Sequence, residues 1–241
     1  MDARHVLLLT ATVAPGKTPD LALRDPDRRE AQYLEALAQW GDRLPPEWSI
    51  VIAENSNWPA TRFIEVGERI GRRVDVLECA DGGSLAGKGI GEASLLDDFA
   101  KSEFAQNCDW IFKCTGRLYV ENIDACLPSL GSDGVCGAIV PSLDQMDSRF
   151  FGASRAVFHE YFTGMGAEIE EKEGFFLEHV AARRMLSSLA AGHVFRHFEA
   201  LPHIVGRSAS LDTSYNGRGV RLKGLVREQV RRMMIDREIL I

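Results

Sequence analysis

The sequence predicts an α/β fold, with a mostly parallel sheet flanked by helices in a single domain over residues 1–241. Two observations lead to this prediction. Short apolar runs, typical of buried strands, alternate with amphipathic segments over the first 140 residues, which indicates successive βα units. No internal repeat, low-complexity run or long linker divides the chain, which favours one domain.

The predicted elements follow one another in a regular order. Strands are predicted at 5–13, 48–53, 74–79, 110–114, 134–140 and 149–153. Helices are predicted at 28–44, 61–71, 91–106, 123–130, 155–162 and 173–189, and from about residue 220 onward. In the first helix, Tyr33, Leu34 and Leu37 share one face at helical spacing, and Pro45 ends the helix.

The composition narrows the class of protein. Hydrophobic residues make up 45% and charged residues 26% of the chain, as in ordinary soluble globular proteins. A net charge of −7 argues against a nucleic-acid partner, because nucleic acids bind basic surfaces. Five cysteines without a C-x-x-C pair favour a reducing compartment, and no apolar run has the length of a membrane span. We therefore expect a cytoplasmic protein.

The segment after Gly217 differs from the rest of the chain because its arginines and lysines outnumber its acidic residues. Apolar residues are interleaved among these charges, as in an amphipathic helix. Such a helix either packs on the core with its charges in water or rests on an acidic membrane surface. Both readings stay open, and the second would place the protein at the inner face of the membrane.

The most informative stretch is 109–117, whose pattern predicts a buried strand followed by a polar turn. The strand brings Lys113, Thr115, Gly116 and Arg117 to its carboxyl end. Ligands of open α/β sheets bind at that edge. Two cations, a hydroxyl and a glycine provide the charge, the donor and the room that a diphosphate needs. The stretch therefore predicts a site for a nucleotide-linked substrate.

Other predicted strand ends carry residues suited to the same ligand. Thr10 and Ala11 are small enough to leave space for a base or ribose, and Glu54 and Asn55 can bond to ribose hydroxyls or a base. The glycine-rich run 87–92, which includes Lys88, precedes a helix and allows a phosphate to approach the backbone. The alternative is that these residues only form turns and solvated loops.

A later segment offers a proton acceptor. Glu178 lies near the start of the helix predicted at 173–189, where the helix dipole stabilises a carboxylate. A carboxylate that stays ionised can accept a proton. The alternative is an ordinary first-turn glutamate, because acidic residues are common there.

In this order, the segments 10–15, 25–33, 54–56, 87–92, 113–117 and 178–179 resemble GT-A-type glycosyltransferases. The resemblance is closer to a small group that builds bacterial surface polysaccharides or decorates viral capsids. It implies a GT-A-like, Rossmann-like fold, with a nucleotide-sugar-binding half at 1–140 and an acceptor and catalytic half at 141–241.

The resemblance also implies partners and site residues. The donor would be a UDP- or GDP-linked sugar, and the acceptor a glycan or a lipid-linked glycan. Thr10, Ala11, Arg29 and Glu54 would lie near the nucleoside, and Lys88 near the donor. In the second half, Glu178 would be the base that deprotonates the acceptor hydroxyl, with Asp147 as the reserve candidate and inversion of the anomeric centre favoured.

The chain departs from the family at the metal motif. Many GT-A enzymes carry Asp-x-Asp where this sequence has Lys113 and Arg117, and Asp109 lies at the wrong end of its strand to replace it. We expect the cations to neutralise the diphosphate in place of Mg²⁺ or Mn²⁺, although a divalent metal stays an open alternative. His203 could be a metal ligand, but the sequence around it shows no acidic partner.

Two other classes of protein stay open. A sugar nucleotidyltransferase also binds nucleotides at strand ends, but it normally has a glycine-rich loop after the first strand, where this chain has Thr-Ala-Thr-Val-Ala-Pro. A non-catalytic nucleotide- or glycan-binding protein would share the fold.

Overall fold

The computed structural model describes residues 4–18, 21–80 and 87–207. The strands are β1 His5–Ala11, β2 Ser49–Glu54, β3 Val74–Glu78, β4 Trp110–Thr115, β5 Leu118–Val120, β6 Val135–Ile139, β7 Met146–Ser154 and β8 Ile204–Gly206. The helices are α1 Pro26–Arg43, α2 Thr61–Arg69, α3 Lys88–Lys101, α4 Glu103–Gln106, α5 Ile123–Cys126, α6 Arg155–Tyr161 and α7 Leu177–Ala190. Two 3₁₀ turns, Met165–Glu168 and Glu171–Glu173, lie between α6 and α7.

Six strands form one mixed sheet in the order β3-β2-β1-β4-β7-β6. The strands β3, β2, β1 and β4 are parallel, while β7 runs antiparallel to β4 and β6 antiparallel to β7. The chain builds the sheet outward from β1 to β3, then crosses to the other side of β1 to form β4. The point where the strand order reverses therefore lies between β1 and β4, and a crevice opens at such a point.

The sheet is buried on both faces because successive side chains of a strand point to opposite sides. On one face, Leu8 and Ile111 belong to a core cluster with residues of α3, α6 and α7. On the other face, Leu9 and Phe112 belong to a cluster with residues of α1 and α2. The predicted α/β class, with a mostly parallel sheet flanked by helices, is confirmed.

Local signals fix the boundaries of α1. The Asp25 side chain accepts a hydrogen bond from the Arg28 N–H at 3.1 Å and caps the first turn. Pro26 follows at a position where a helix tolerates its missing N–H. The helix ends before Pro45, as the sequence predicted. Its buried face includes Tyr33 and Trp40, and the Trp40 indole N–H donates to the Leu118 carbonyl at 3.0 Å.

Three predicted helices need correction. The helix predicted at 91–106 begins at Lys88 and is interrupted at Ser102, whose backbone is extended and whose hydroxyl caps α4. The helix predicted at 123–130 is the single turn α5, because the chain extends at Leu127. The helix predicted at 173–189 begins at Leu177, because Gly174 adopts a left-handed conformation (φ 75°) and separates it from the 3₁₀ turn.

The strand predicted at 149–153 is longer, since β7 spans Met146–Ser154. The sequence did not predict the short strands β5 and β8, which pair antiparallel beside α1. The helix predicted from about residue 220 lies outside the described residues.

Candidate functional site

A pocket lies at the carboxyl ends of β1 and β4, at the reversal of strand order. Its described lining includes three cationic side chains, one carboxylate and several hydroxyl groups. These residues are Thr10, Thr12, Pro15, Thr18, Leu21, Arg29, Tyr33, Lys88, Gly91, Glu92, Leu95, Thr115 and Arg117. The structure thus places Thr10, Arg29, Lys88, Thr115 and Arg117, all predicted from the sequence, at one pocket.

Arg117 is a pocket cation with unused hydrogen-bonding capacity in the described structure. Its side chain is buried, and its guanidinium lies 5.8 Å from the centroid of the Tyr33 ring. One terminal N–H donates to the Gln32 Oε1 at 3.1 Å, while its Nε has no hydrogen-bond partner among the described residues. Burial lowers the pKa of Arg117 below its ordinary value, and the neighbouring charge of Arg29 acts in the same direction. A poorly solvated cation of this kind is stabilised by an anion.

Gly116 allows the chain to turn closely against β1. Its N–H donates to the Thr10 carbonyl at 2.9 Å. A Cβ at this position would lie 2.8 Å from that carbonyl oxygen and 3.1 Å from the Tyr33 ring. Only glycine fits without a shift, and the turn carries Arg117 to the mouth of the pocket.

Arg29 serves the loop that follows β1. Its Nε and one terminal nitrogen donate to the Thr12 carbonyl at 2.9 and 2.6 Å, and the other terminal nitrogen donates to the Leu23 carbonyl at 3.2 Å. The Tyr33 hydroxyl accepts from the Thr12 N–H at 3.0 Å. These contacts fix the wall of the pocket.

Glu54 and Asn55, at the end of β2, do not line the pocket. The Glu54 carboxylate accepts hydrogen bonds from the N–H groups of Val13, Ser56 and Trp58 at 2.9 to 3.1 Å, and from the Ser56 hydroxyl. Asn55 accepts from the Thr12 hydroxyl at 2.6 Å. Ala11 also lies outside the lining, in the core cluster on the α1 face.

Lys113 lies beneath the pocket and forms a buried ion pair with Glu92 of α3. Its side chain has 0% exposure, whereas that of Glu92 has 12% and reaches the pocket. The ammonium also donates to the Ser148 carbonyl at 2.5 Å and to the Thr115 hydroxyl at 3.3 Å. The same Glu92 oxygen accepts from the hydroxyls of Thr10 and Thr115 at 3.1 and 3.2 Å.

Burial alone would raise the pKa of Glu92, because it penalises the charged form. The charges of Lys113 and Lys88 and the hydrogen bonds from Lys113 and Thr10 outweigh this effect, so the pKa lies below its ordinary value. Glu92 is therefore an ionised carboxylate at neutral pH.

The start of α3 is occupied by a carboxylate of the chain itself. Glu171 accepts from the Gly89 N–H at 2.6 Å. A Cβ on Gly87 or Gly89 would lie 2.4 or 2.9 Å from its oxygens. Gly87 and Gly89 of the predicted phosphate loop thus make room for Glu171, whereas Gly91 lines the pocket and residues 81–86 lie outside the described residues.

Glu178 lies in the first turn of α7. The turn begins after Phe176, whose N–H donates to the His179 Nδ1 at 3.1 Å. The Glu178 Oε1 accepts from the Ser148 hydroxyl at 2.8 Å. Asp147, the reserve candidate, holds Arg149 in a two-pronged ion pair at 2.8 and 2.6 Å.

Among residues 4–18, 21–80 and 87–207, no group of three His, Cys, Asp or Glu side chains could hold a metal ion. His203 does have an acidic partner, contrary to expectation: its Nδ1 lies 2.7 Å from the Glu121 Oε2. This partner was missed because Glu121 lies 82 residues away in sequence, although β5 and β8 bring the two together.

The sequence did not predict the roles of three residues at or near the site. Glu92 was recognised only as the end of a glycine-rich run, and Ser148 and Glu171 received no role. The signal for the first was available: Lys113 stands inside an apolar strand, and a buried lysine needs a carboxylate.

The sequence matches no protein-family model and no curated protein. Among solved structures, the glycosyltransferase GlyE of Streptococcus pneumoniae TIGR4 is similar at a TM-score of 0.50 and 11% identity, over 80% of this chain and 45% of that one. The galactosyltransferase LgtC, solved with donor and acceptor sugar analogues, is similar at a TM-score of 0.49 and 9% identity, over 76% of this chain and 70% of that one. A cytidylyltransferase of Leptospira borgpetersenii is similar at a TM-score of 0.44 and 14% identity, over 78% of this chain and 73% of that one.

The likeness to GlyE supports the GT-A-like fold, and at 11% identity it shows the fold alone. This chain spans less than half of the GlyE chain that it matches. None of the helices in the described part of the chain has the length and hydrophobicity needed to cross a membrane.

Proposed function

We propose that this protein is a glycosyltransferase that moves a sugar from a nucleotide-diphosphate donor to a glycan or lipid-linked acceptor in the cytoplasm, in surface polysaccharide synthesis. One observation carries the proposal. A cation-lined pocket at the reversal of strand order is linked to Glu178, a carboxylate in the first turn of a helix, through Glu92, Lys113 and Ser148, whose carbonyl accepts from Lys113 and whose hydroxyl donates to Glu178. The GT-A-like fold supports the same class of reaction.

The cations of the pocket support a diphosphate-bearing donor, UDP- or GDP-linked. Arg117 is buried and has an Nε without a partner in the described structure, so a phosphate oxygen would complete its hydrogen bonding. Lys88 lies on the same pocket and adds a second positive charge. Together they would offset the charge that develops on the leaving diphosphate.

Glu178 is the base in this proposal. It would take the proton of the acceptor hydroxyl as that oxygen bonds to the anomeric carbon and the bond from that carbon to the diphosphate breaks, which inverts the centre. The Ser148 hydroxyl holds one oxygen of Glu178 in place. Asp147 is less suited because both of its oxygens bind Arg149.

A thermal-shift screen tests donor binding. UDP-, GDP-, dTDP- and CMP-sugars would each be added with Mn²⁺ and with a chelator, because a ligand that binds the native state raises its Tm. We expect one nucleotide sugar to raise the Tm equally in both conditions. A shift that requires Mn²⁺ would overturn the role given to the cations, and no shift with any donor would point to a non-catalytic protein.

Turnover by a Glu178→Gln variant tests the reaction. The amide keeps the shape of the side chain but cannot accept the proton, so we expect kcat to fall by about 10² or more with the donor affinity retained. Glu173→Gln, an exposed glutamate in the 3₁₀ turn before α7, is the matched control. Retained turnover in Glu178→Gln would exclude Glu178 as the base.

A further inference from the structure

We propose that Lys113 is a positioning residue that couples the donor pocket to the base, and that it does not bind the diphosphate. This inference rests on the proposed function. It assigns roles to two further residues, Glu92 and Ser148, which contact Lys113. It reverses the expectation that the sequence suggests for this lysine.

The burial of Lys113 supports this role. Its side chain has 0% exposure and points to the same face of the sheet as Ile111, beneath α3. Its ammonium already has three partners: the Glu92 carboxylate, the Ser148 carbonyl and the Thr115 hydroxyl. An ammonium has three N–H donors, so a phosphate could bind Lys113 only by displacing one of these partners.

One arm of the network reaches the pocket. Lys113, Thr10 and Thr115 all donate to the same oxygen of Glu92. Glu92 is the one carboxylate in the described lining of the pocket. An ionised carboxylate accepts hydrogen bonds and repels phosphate, so its complement on the donor is a hydroxyl or N–H group of the sugar, ribose or base. Lys113 fixes the position and charge of this acceptor.

The other arm reaches the base. Lys113 donates to the Ser148 carbonyl at 2.5 Å, and the Ser148 hydroxyl donates to the Glu178 Oε1 at 2.8 Å. Ser148 is buried in β7, the strand that pairs with β4. A single ammonium therefore sets the position of a donor-binding carboxylate on one side and of the proposed base on the other.

A double-mutant cycle separates positioning from direct contact. The dissociation constant of the nucleotide sugar found in the thermal-shift screen would be measured by calorimetry for wild type, Glu92→Gln, Lys113→Met and the double variant. If Lys113 acts through Glu92, each single variant weakens binding about tenfold and the double variant is no weaker than Glu92→Gln within about threefold. A further tenfold loss in the double variant would overturn the proposal.

The double variant also protects the test against misfolding. Lys113→Met leaves a largely buried carboxylate without its partner, whereas the double variant removes both charges. Inorganic pyrophosphate provides a second readout on this variant. We expect its affinity to equal that of wild type, and a tenfold weakening would show direct contact between Lys113 and the phosphates.

Ser148 tests the second arm. Ser148→Ala removes the hydroxyl that holds Glu178, so we expect kcat to fall about tenfold while the donor dissociation constant stays within twofold of wild type. Ser148→Thr keeps the hydroxyl and should restore most of the turnover. Unchanged kcat in Ser148→Ala would overturn this arm. If wild type itself binds no nucleotide sugar, the proposed function fails and the coupling fails with it, an outcome distinct from a failed cycle.

Discussion

The ends of β2 and β4 both carry buried polar residues, yet they use them differently. At the end of β2, the Glu54 carboxylate accepts four hydrogen bonds, from donors in its own loop and in the loop after β1. At the end of β4, Arg117 is equally buried but has an Nε without a partner in the described structure. Burial alone therefore does not separate a loop anchor from a candidate binding group: Arg117 differs from Glu54 in having an unsatisfied N–H and in lining the pocket.

The largest expected effect is on stability and comes from breaking the buried ion pair between Lys113 of β4 and Glu92. Lys113→Met would leave Glu92 largely buried without its partner and should lower the free energy of unfolding by about 3 kcal/mol. Urea unfolding measures this, with the Lys113→Met, Glu92→Gln double variant as the control that recovers most of the loss. Wild-type stability in the single variant would show that the pair is dispensable.

The next effect tests the β2 end. Glu54→Gln places an amide NH₂ against N–H groups that now donate to a carboxylate, so we expect a loss of about 2 kcal/mol in unfolding free energy. Glu78, its register partner on β3, is exposed, and Glu78→Gln is the matched control. Donor affinity should change little in either variant. A large loss of affinity with unchanged stability would make Glu54 a ligand-binding group instead.

Arg117→Ala should show the opposite pattern. We expect donor affinity to fall at least tenfold, about 1.4 kcal/mol, while stability changes little because the guanidinium is incompletely satisfied in the folded protein. Calorimetry and urea unfolding measure the two quantities. Arg73→Ala, at an exposed arginine paired with Asp75, is the control. Unchanged affinity would remove Arg117 from the site.

The smallest effect is a dependence on pH. Because the pKa of Glu92 lies below its ordinary value in the folded protein, the unfolded chain binds its proton first as the pH falls. The stability that Glu92 contributes is therefore complete above its unfolded pKa of about 4.5 and is lost as the pH falls through the folded value. Urea midpoints of wild type and Glu92→Gln should converge as the pH falls below 4.5. A constant difference would contradict the shift.

The sequence predicts the alternation of strands and helices well, because each element carries its own periodicity and capping residues. Arg117 could also be placed at a site, since it follows a buried strand directly. Lys113 was assigned to the ligand although the strand around it is apolar. The residues that it contacts in the structure, Glu92 and Ser148, lie 21 and 35 residues away in sequence, and only the packing of α3 and β7 against β4 shows them.

The same limit explains Glu171. Glycines before a helix are compatible with a phosphate, yet here the approaching anion is a side chain 82 residues away from Gly89. A pattern of small residues reports that something comes close to the backbone. It does not report whether that group belongs to a ligand or to the protein.

The pairing of β1 with β4 has a consequence for the dimensions of the ligand. The strands form a ladder that continues to Thr10 and Thr115, two residues that line the pocket. Neighbouring strands are held about 4.8 Å apart by their hydrogen bonds. We therefore expect the distance between the backbones at Thr10 and Thr115 to stay the same when a ligand binds. Any adjustment of the pocket to ligands of different size would come from the helices and loops around these two strands.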